Sequence, residues 1–199
     1  RSENQDSYAV RQLSEQVAIA VVCDGMGGAR AGNVASAIAV ESFAAKLEEL
    51  CQDGVPEGEQ DCTQLLRQAC DQANTHVYQL SRTDEQYRGM GTTLVAALLL
   101  DQEAYVINVG DSRCYHIHDG EIQQVSCDHS LVQMLVSRGD ITPEQARTHP
   151  KKNLITRALG VDRDVTADCY HVTWQEGDSL LLCSDGLSNV LTDQVLLEQ

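Results

Sequence analysis

The spacing of apolar and polar residues along the first eighty positions predicts one strand followed by two helices. The apolar run over 17–23 is typical of a buried strand. Beyond it, apolar residues recur every three or four positions over 31–50 and over about 63–81, which is the spacing of an amphipathic helix. The segment 51–62 between these helices contains two glycines and a proline among acidic residues, so we predict a loop there.

The rest of the chain shows the shorter period of strands. Continuous or alternating apolar runs predict strands at 92–100, 104–109, 113–118, 121–125, 168–174 and 179–183. Asp119-Gly120 is a favoured two-residue hairpin turn, and we interpret the first four of these strands as an antiparallel meander. Residues 126–160 are polar and contain short helical fragments, so we predict that this segment lies outside the sheet. A last helix is predicted to begin near Thr192.

This order of elements favours an α+β fold. Strands and helices do not alternate one for one, so a doubly wound parallel sheet is not expected. The two long helices each need a sheet face to cover, and strands as apolar as 92–100 need cover on both faces. A sandwich of stacked antiparallel sheets with helices outside satisfies both requirements.

Composition and charge narrow the function classes. The formal net charge is −16, from 30 acidic and 14 basic side chains, which argues against a nucleic-acid partner because a phosphate backbone requires a basic surface. The charge is compatible with cation binding, although an acidic surface also simply maintains solubility. The eight cysteines form no C-x-x-C pair, and no signal peptide or membrane-spanning run is visible, so we expect free thiols, a cytoplasmic location and no membrane contact.

Candidate chemistry comes from aspartates at the ends of predicted strands. Asp24, Asp111 and Asp185 each follow a strongly apolar strand, and Asp6 precedes the first one. For any one aspartate an ordinary Asp-Gly turn is the commoner explanation. Three together predict carboxylates that meet at one sheet edge and bind Mg²⁺ or Mn²⁺, the cations that prefer hard oxygen ligands. Gly25 would let its carbonyl approach such a cation without an obstructing side chain.

Seven motifs, in order, resemble those of the bacterial metal-dependent Ser/Thr protein phosphatases of type 2C, the PPM family. They are RSENQDS (1–7), VVCDGMGGARAG (21–32), GMGTTLVAALL (89–99), VGDSRCY (109–115), DHSLVQ (128–133), HPKKNLITRALG (149–160) and LLLCSDGLSNVLTD (180–193). The resemblance implies a four-layer α-β-β-α sandwich of two antiparallel sheets flanked by helices, with residues 126–160 as a small flap subdomain beside the active site.

The resemblance also implies roles for individual residues. It implies two Mn²⁺ or Mg²⁺ ions bridged by Asp24, with the Gly25 carbonyl on one ion and Asp185 on the other. Asp6 would hold metal directly or through water, and Asp111 with Asp185 can hold a third, weaker ion. Arg1 matches the arginine that clamps the substrate phosphate, a task suited to its planar fork of donors.

The implied reaction is hydrolysis of phosphoserine and phosphothreonine in proteins by a water activated between the metal ions. The sequence contains no C-x-x-x-x-x-R phosphate loop, so no cysteine nucleophile is expected. The implied partners are a phosphoprotein substrate and a Ser/Thr kinase or its targets, and we expect a monomer. Gly89, Gly91, Thr92 and Thr93 are assigned to packing and turn geometry.

Three departures from the family pattern keep alternatives open. Met26 and Ala29 occupy the two positions where some members carry a histidine acid, so a metal-bound water is left as the acid. We interpret the histidines of the second half as structural: His116, His118, His129, His149 and His171. The sequence as given stops before the Gly-Asp-Asn segment that completes the metal site in such phosphatases and starts after their first strand. We therefore expect residues 1–199 to form one phosphatase-like domain shortened at both ends.

Two further functions remain possible from the sequence. A catalytically impaired domain would keep the fold and serve as a phosphoprotein-binding or regulatory module. The other is a metal hydrolase of nucleotides or small phosphoesters, although one Trp and one Phe supply no base-stacking cluster.

Overall fold

The computed structural model describes residues 4–198, which form two antiparallel sheets and six helices. The larger sheet contains β1 (Asp6–Ser14), β2 (Val17–Met26), β4 (Leu94–Leu99), β5 (Glu103–Val109) and β8 (Asp168–Thr173), in that spatial order, with the short β3 (Gly91–Thr92) paired to β2. The smaller sheet has the order β7 (Glu121–Gln124), β6 (Arg113–His118) and β9 (Ser179–Cys183). The helices are α1 (Ala29–Leu50), α2 (Glu59–Thr83), α3 (Leu131–Ser137), α4 (Pro143–Thr148), α5 (Asp185–Ser188) and α6 (Asp193–Leu197), and a 3-10 turn covers Glu85–Tyr87.

The side chains of β4 alternate between two apolar clusters, one on each face of the larger sheet. Leu94, Ala96 and Leu98 pack with residues of α1 and α2, whereas Val95 and Ala97 face the smaller sheet. A third apolar cluster lies between the smaller sheet and the C-terminal helices, formed by Tyr115, Cys183 and Leu196 with Ile122, Leu181, Leu187 and Leu191. Helices, sheet, sheet and helices therefore form four layers, and the α+β sandwich prediction is confirmed.

The long helices follow the predicted periodicity. Leu66, Cys70, Ala73 and Val77 of α2 are buried at three- and four-residue spacing. All eight cysteines lie in the described part of the chain as free thiols. No helix within residues 4–198 is long and apolar enough to cross a bilayer.

The placement of Asp6 before the first strand was wrong, because Asp6 is the first residue of β1 and pairs in register with Asp24. The strand is hard to see in the sequence since it is an edge strand covered on one face only. Ala9 and Leu13 pack towards the helices, while Tyr8 and Val10 on the other face are 78% and 71% exposed.

Asp24 also lies inside a strand and not beyond its end. The predicted strand stopped at residue 23, whereas β2 continues to Met26. The extra residues are held because β3 pairs Gly25 with Thr92 and Met26 with Gly91. An aspartate and a glycine at the end of an apolar run resemble a turn locally, and only the tertiary pairing shows that the strand goes on.

The predicted meander was wrong in one respect. β5 pairs with β4 and β8 in the larger sheet, whereas β6 pairs with β7 and β9 in the smaller one. The chain passes between the sheets through Gly110, whose φ of 111° is in the left-handed region, followed by Asp111 and Ser112. The hairpin at Asp119-Gly120 is confirmed, with φ values of 48° and 75°.

Residues 126–160 carry the two predicted helical fragments as α3 and α4. Thr142 caps α4 in a reciprocal capping box with Gln145. Isolated bridges join Ser130 to Ile155 and Thr92 to Leu159, so both ends of the segment are tied down.

Asp178 joins two strand histidines and gives a pH-dependent prediction. Its carboxylate, whose side chain is 4% exposed, contacts His116 Nε2 at 2.9 Å and His118 Nδ1 at 2.7 Å. The hydrogen bond from His118 lowers the pKa of Asp178 to about 2, and the same bond raises the pKa of His118.

We expect Asp178→Asn to destabilise the fold more at about pH 5.5 than at about pH 9. The lowered pKa of Asp178 stabilises the fold above the unfolded-state pKa, about 3.9, and that contribution is lost as pH falls through the folded-state value. The raised pKa of His118 stabilises the fold below about pH 6.5, and that contribution is lost as pH rises through the folded-state pKa. Thermal unfolding of both proteins at the two pH values checks this, and an equal loss at both would contradict it.

Candidate metal centre

Threonine hydroxyls and backbone groups hold Asp24 in place at the end of the larger sheet. Its backbone N–H donates to Thr93 Oγ1 at 2.9 Å, and its carbonyl accepts from Thr92 Oγ1 and from the Thr93 N–H, each at 2.9 Å. Asp24 is only 7% exposed. The threonines that the sequence assigned to packing thus fix the backbone that carries this carboxylate.

Gly25 lies where no side chain fits. Its N–H donates to the carbonyl of Gln5 at 3.0 Å. A Cβ at this position would come within 2.0 Å of the Gly32 carbonyl oxygen and 2.9 Å of the Gln5 carbonyl oxygen. The close approach of β1, β2 and the first turn of α1 therefore requires glycine here.

Asp6 and Asp185 lie near each other although they are far apart in sequence. Ser184, the residue before Asp185, donates its hydroxyl to Asp6 Oδ2 at 2.8 Å. Asp185 begins α5, and its Oδ2 accepts from the Asn189 side chain at 3.0 Å. Since Asp6 also pairs with Asp24 across β1 and β2, the chain brings these three aspartates to one end of the sandwich.

Asp111 reaches the same end from the crossover between the sheets. The hydroxyl of the next residue, Ser112, lies 2.7 Å from Thr93 Oγ1, which also contacts the Asp24 backbone. Burial raises the pKa of Asp111 to about 7, with further contributions from the negative charges of Asp185, Asp128 and Asp24. The negative charges that act on Asp111 thus belong to aspartates from three other parts of the chain.

Asp128 belongs to this acidic group and was not singled out from the sequence. Its carboxylate accepts two hydrogen bonds from Arg113 Nε, at 2.9 and 3.2 Å, and one from Arg113 Nη2 at 2.7 Å. It lies in the DHSLVQ motif, but it does not follow an apolar strand and so lacked the signal that marked the other aspartates. The motif match was the only indication available.

The donor set suits a hard divalent cation, although within residues 4–198 no three His, Cys, Asp or Glu side chains are already arranged to hold a metal ion. Three carboxylates are directed to protein partners: Asp6 to Ser184, Asp128 to Arg113 and Asp185 to Asn189. Every donor at this end is oxygen, the type that Mg²⁺ and Mn²⁺ prefer. Burial and the neighbouring negative charges raise the pKa of Asp111, and cations between the carboxylates would offset both effects.

A cavity of about 440 Å³ opens beside Asp111 and Asp185. Its walls come from the smaller sheet, from α3 and α4 of the 126–160 segment and from α5, and Lys152 and Arg147 line it. Arg1, the predicted phosphate clamp, lies outside the described residues. An acidic edge that opens into a cavity, on a four-layer α-β-β-α sandwich, is the combination expected of metal-dependent protein phosphatases.

Comparison with known proteins supports the same class. A family model described as protein phosphatase 2C matches residues 1–198. The serine/threonine phosphatase Stp of Listeria monocytogenes is 38% identical over 198 residues, which cover 100% of this chain and 77% of the relative. The protein phosphatase PhpP of Streptococcus pneumoniae is 39% identical over 194 residues, covering 96% of this chain and 76% of the relative.

Solved structures agree with the sequence relatives. The Mycobacterium tuberculosis serine/threonine phosphatase PstP/Ppp matches with a TM-score of 0.87 and 37% identity, over 100% of this chain and 79% of that one. The catalytic domain of PstP in complex with two manganese ions matches with a TM-score of 0.82 and 35% identity, over 100% of this chain and 78% of that one. The chain belongs to the protein phosphatase 2C family, which places it among the metal-dependent protein serine/threonine phosphatases.

Proposed function

We propose that this protein hydrolyses phosphoserine and phosphothreonine residues of proteins with two divalent cations held at the acidic end of the sandwich. The observation that carries the proposal is that strand pairing and hydrogen bonds bring Asp6, Asp24, Asp111 and Asp185 from separate parts of the chain to one end of the sandwich. Negative charges gathered at one end of the fold repel one another, and bound cations would offset that repulsion. The two manganese ions of the related PstP complex favour Mn²⁺ as the cation.

Each predicted site residue has a part in this proposal. Asp24 would lie between the two ions, with the Gly25 carbonyl on one and Asp185 on the other. Asp6, whose carboxylate accepts from Ser184, would contribute directly or through water. Asp111 with Asp185 would hold a third ion. When bound, the ions lower the pKa of a water molecule and neutralise charge on the phosphoryl oxygens.

The remaining groups position and protect the substrate. Arg1 would clamp the phosphate by bidentate hydrogen bonds. The 126–160 segment would act as the flap of the single phosphatase domain, since α3 and α4 form one wall of the cavity beside Asp111 and Asp185. A phosphorylated segment of a Ser/Thr kinase or of its targets would lie in that cavity.

Hydrolysis of p-nitrophenyl phosphate and of phosphoserine and phosphothreonine peptides tests the proposal. We expect activity with Mn²⁺, a loss of at least about 100-fold with excess chelator, and recovery when Mn²⁺ is added back. Equal rates with and without the cation would contradict the two-ion reaction. Phosphopeptide binding without hydrolysis in Mn²⁺ would instead support the alternative function, an impaired phosphoprotein-binding module.

A further inference from the structure

His129 makes two hydrogen bonds to Gly110, the residue that precedes Asp111 at the crossover. The His129 backbone N–H donates to the Gly110 carbonyl at 2.9 Å. In the other direction, the Gly110 N–H donates to His129 Nδ1 at 3.1 Å. His129 is 7% exposed, so these bonds are protected from competing water. One residue thus holds both polar groups of the Gly110 backbone, the carbonyl through its own backbone N–H and the N–H through its imidazole.

This arrangement defines the tautomer of His129. A backbone N–H can only donate, so Nδ1 must carry a lone pair, and the single proton of the neutral imidazole is on Nε2. Nε2 lies 3.0 Å from Asp168 Oδ2, which accepts that proton in a hydrogen bond. Arg157 Nη1 also lies 3.1 Å from Nε2, but its two protons have other acceptors, the second oxygen of Asp168 at 3.0 Å and the Thr166 carbonyl at 3.3 Å.

His129 also connects the crossover with the 126–160 segment. Its carbonyl accepts from the Thr156 N–H at 2.8 Å, so the two ends of the segment meet at this residue. The Gly110 carbonyl is held a second time by Asn108 Nδ2 at 3.2 Å. Gly110 needs these restraints because its φ of 111° is open to glycine alone and a glycine backbone is otherwise free to rotate.

We propose that His129 is a positioning residue that aims Asp111 at the cation site through the backbone of Gly110. The His129 side chain contacts Gly110 and Asp168 and is not itself one of the proposed cation ligands. Without the Nδ1 acceptor, the Gly110 N–H is buried and unpaired, which costs free energy. The backbone of the crossover avoids this cost by rotating at Gly110. The direction of the Asp111 carboxylate then changes, and cation affinity falls. The link to cation affinity rests on the proposed function, whereas the tautomer and the Gly110 restraint do not.

The first test reads the tautomer directly. Long-range ¹⁵N–¹H correlation NMR of the wild-type protein at neutral pH is expected to show His129 with its proton on Nε2 and an unprotonated Nδ1. A proton on Nδ1 would overturn the inference. The result stands whether or not the protein is an active phosphatase.

The second test uses two substitutions that each keep one half of the imidazole. His129→Asn places an amide oxygen where Nδ1 accepts, and His129→Gln places an amide nitrogen where Nε2 donates. We expect Gly110 amide exchange without metal to stay within about twofold of wild type in His129→Asn and to accelerate at least about tenfold in His129→Gln. Calorimetric Mn²⁺ affinity should follow the same order, with a loss of about tenfold in His129→Gln only.

The outcomes distinguish the positioning role of His129 from the proposed phosphatase function. Equal exchange and equal Mn²⁺ affinity in the two variants would overturn the role of His129. If the wild-type protein binds Mn²⁺ but does not hydrolyse phosphopeptides, the proposed function fails while the exchange data still decide the role of His129. His76→Gln, on the exposed face of α2, serves as the control and should match wild type in every measurement. If both His129 variants fail to fold, the wild-type tautomer alone decides.

Discussion

Asp24→Asn is expected to lower the Mn²⁺-dependent hydrolysis of p-nitrophenyl phosphate by about 1,000-fold, the scale seen when a central electrostatic group is removed from an active site. Asp24 is the carboxylate that we place between the two cations, and an amide supplies neither the charge nor the second oxygen donor. The backbone around it should be unaffected, because its hydrogen bonds to Thr92 and Thr93 involve main-chain atoms of Asp24. Initial rates at saturating Mn²⁺, with circular dichroism of both proteins, measure the effect.

The matched control for Asp24→Asn is Asp101→Asn. Asp101 is exposed in the turn between β4 and β5. The paired residues Leu94 and Val109 lie at the other end of these two strands, which is the end where Asp24 and Asp111 are found. We expect its rate to remain within about twofold of wild type, since a distant exposed charge acts only weakly through water. The melting temperature of Asp24→Asn in the absence of metal should equal or exceed that of wild type, because one member of a repelling group becomes neutral. A rate above about one tenth of wild type would contradict the role of Asp24.

Strongly buried elements were predictable because burial leaves a repeating pattern in the sequence. β4, covered on both faces, appears as a continuous apolar run and β5 was recognised from an alternating one, while β6 and β9 were predicted with the bounds that the structure has. The edge strand β1 was missed because apolar residues lie on both of its faces, with Tyr8 and Val10 exposed, so its alternating burial is not matched by an alternation of apolar and polar residues in the sequence. The sequence of an edge strand indicates its position in the sheet less clearly than that of a central strand, because fewer of its side chains are buried.

The acidic end of the sandwich was partly predictable for a related reason. Asp24, Asp111 and Asp185 follow apolar runs, so their location near the end of a strand could be inferred, although β2 continues past Asp24 to Met26. Asp128 comes after the end of a hairpin and joins them only through tertiary packing against Arg113.

The contacts of His129 show the limit of local reasoning in this chain. A lone buried histidine is usually structural, and nothing near residue 129 in the sequence indicates Gly110. The contact arises because the chain changes sheets at Gly110, a step that the sequence interpretation replaced with a continuous meander. Side-chain roles that depend on a crossover can be assigned only when the sheet pairing is known.

Gly25→Ala is expected to destabilise the fold by about 3 kcal/mol, which lowers the melting temperature of a chain of this size by about 10 °C, and to reduce Mn²⁺-dependent activity even below that temperature. The new methyl carbon would lie 2.0 Å from the Gly32 carbonyl oxygen, and that neighbour is backbone of α1 that cannot rotate away. Either β2 or the first turn of α1 must shift, and Asp24 shifts with them. Gly186→Ala is the matched control, because its nearest neighbour is Ser184 Oγ at 3.4 Å and alanine suits the helix α5. Thermal unfolding and initial rates measure both variants, and a Gly25→Ala protein as stable and active as Gly186→Ala would show that this backbone approach does not constrain the site.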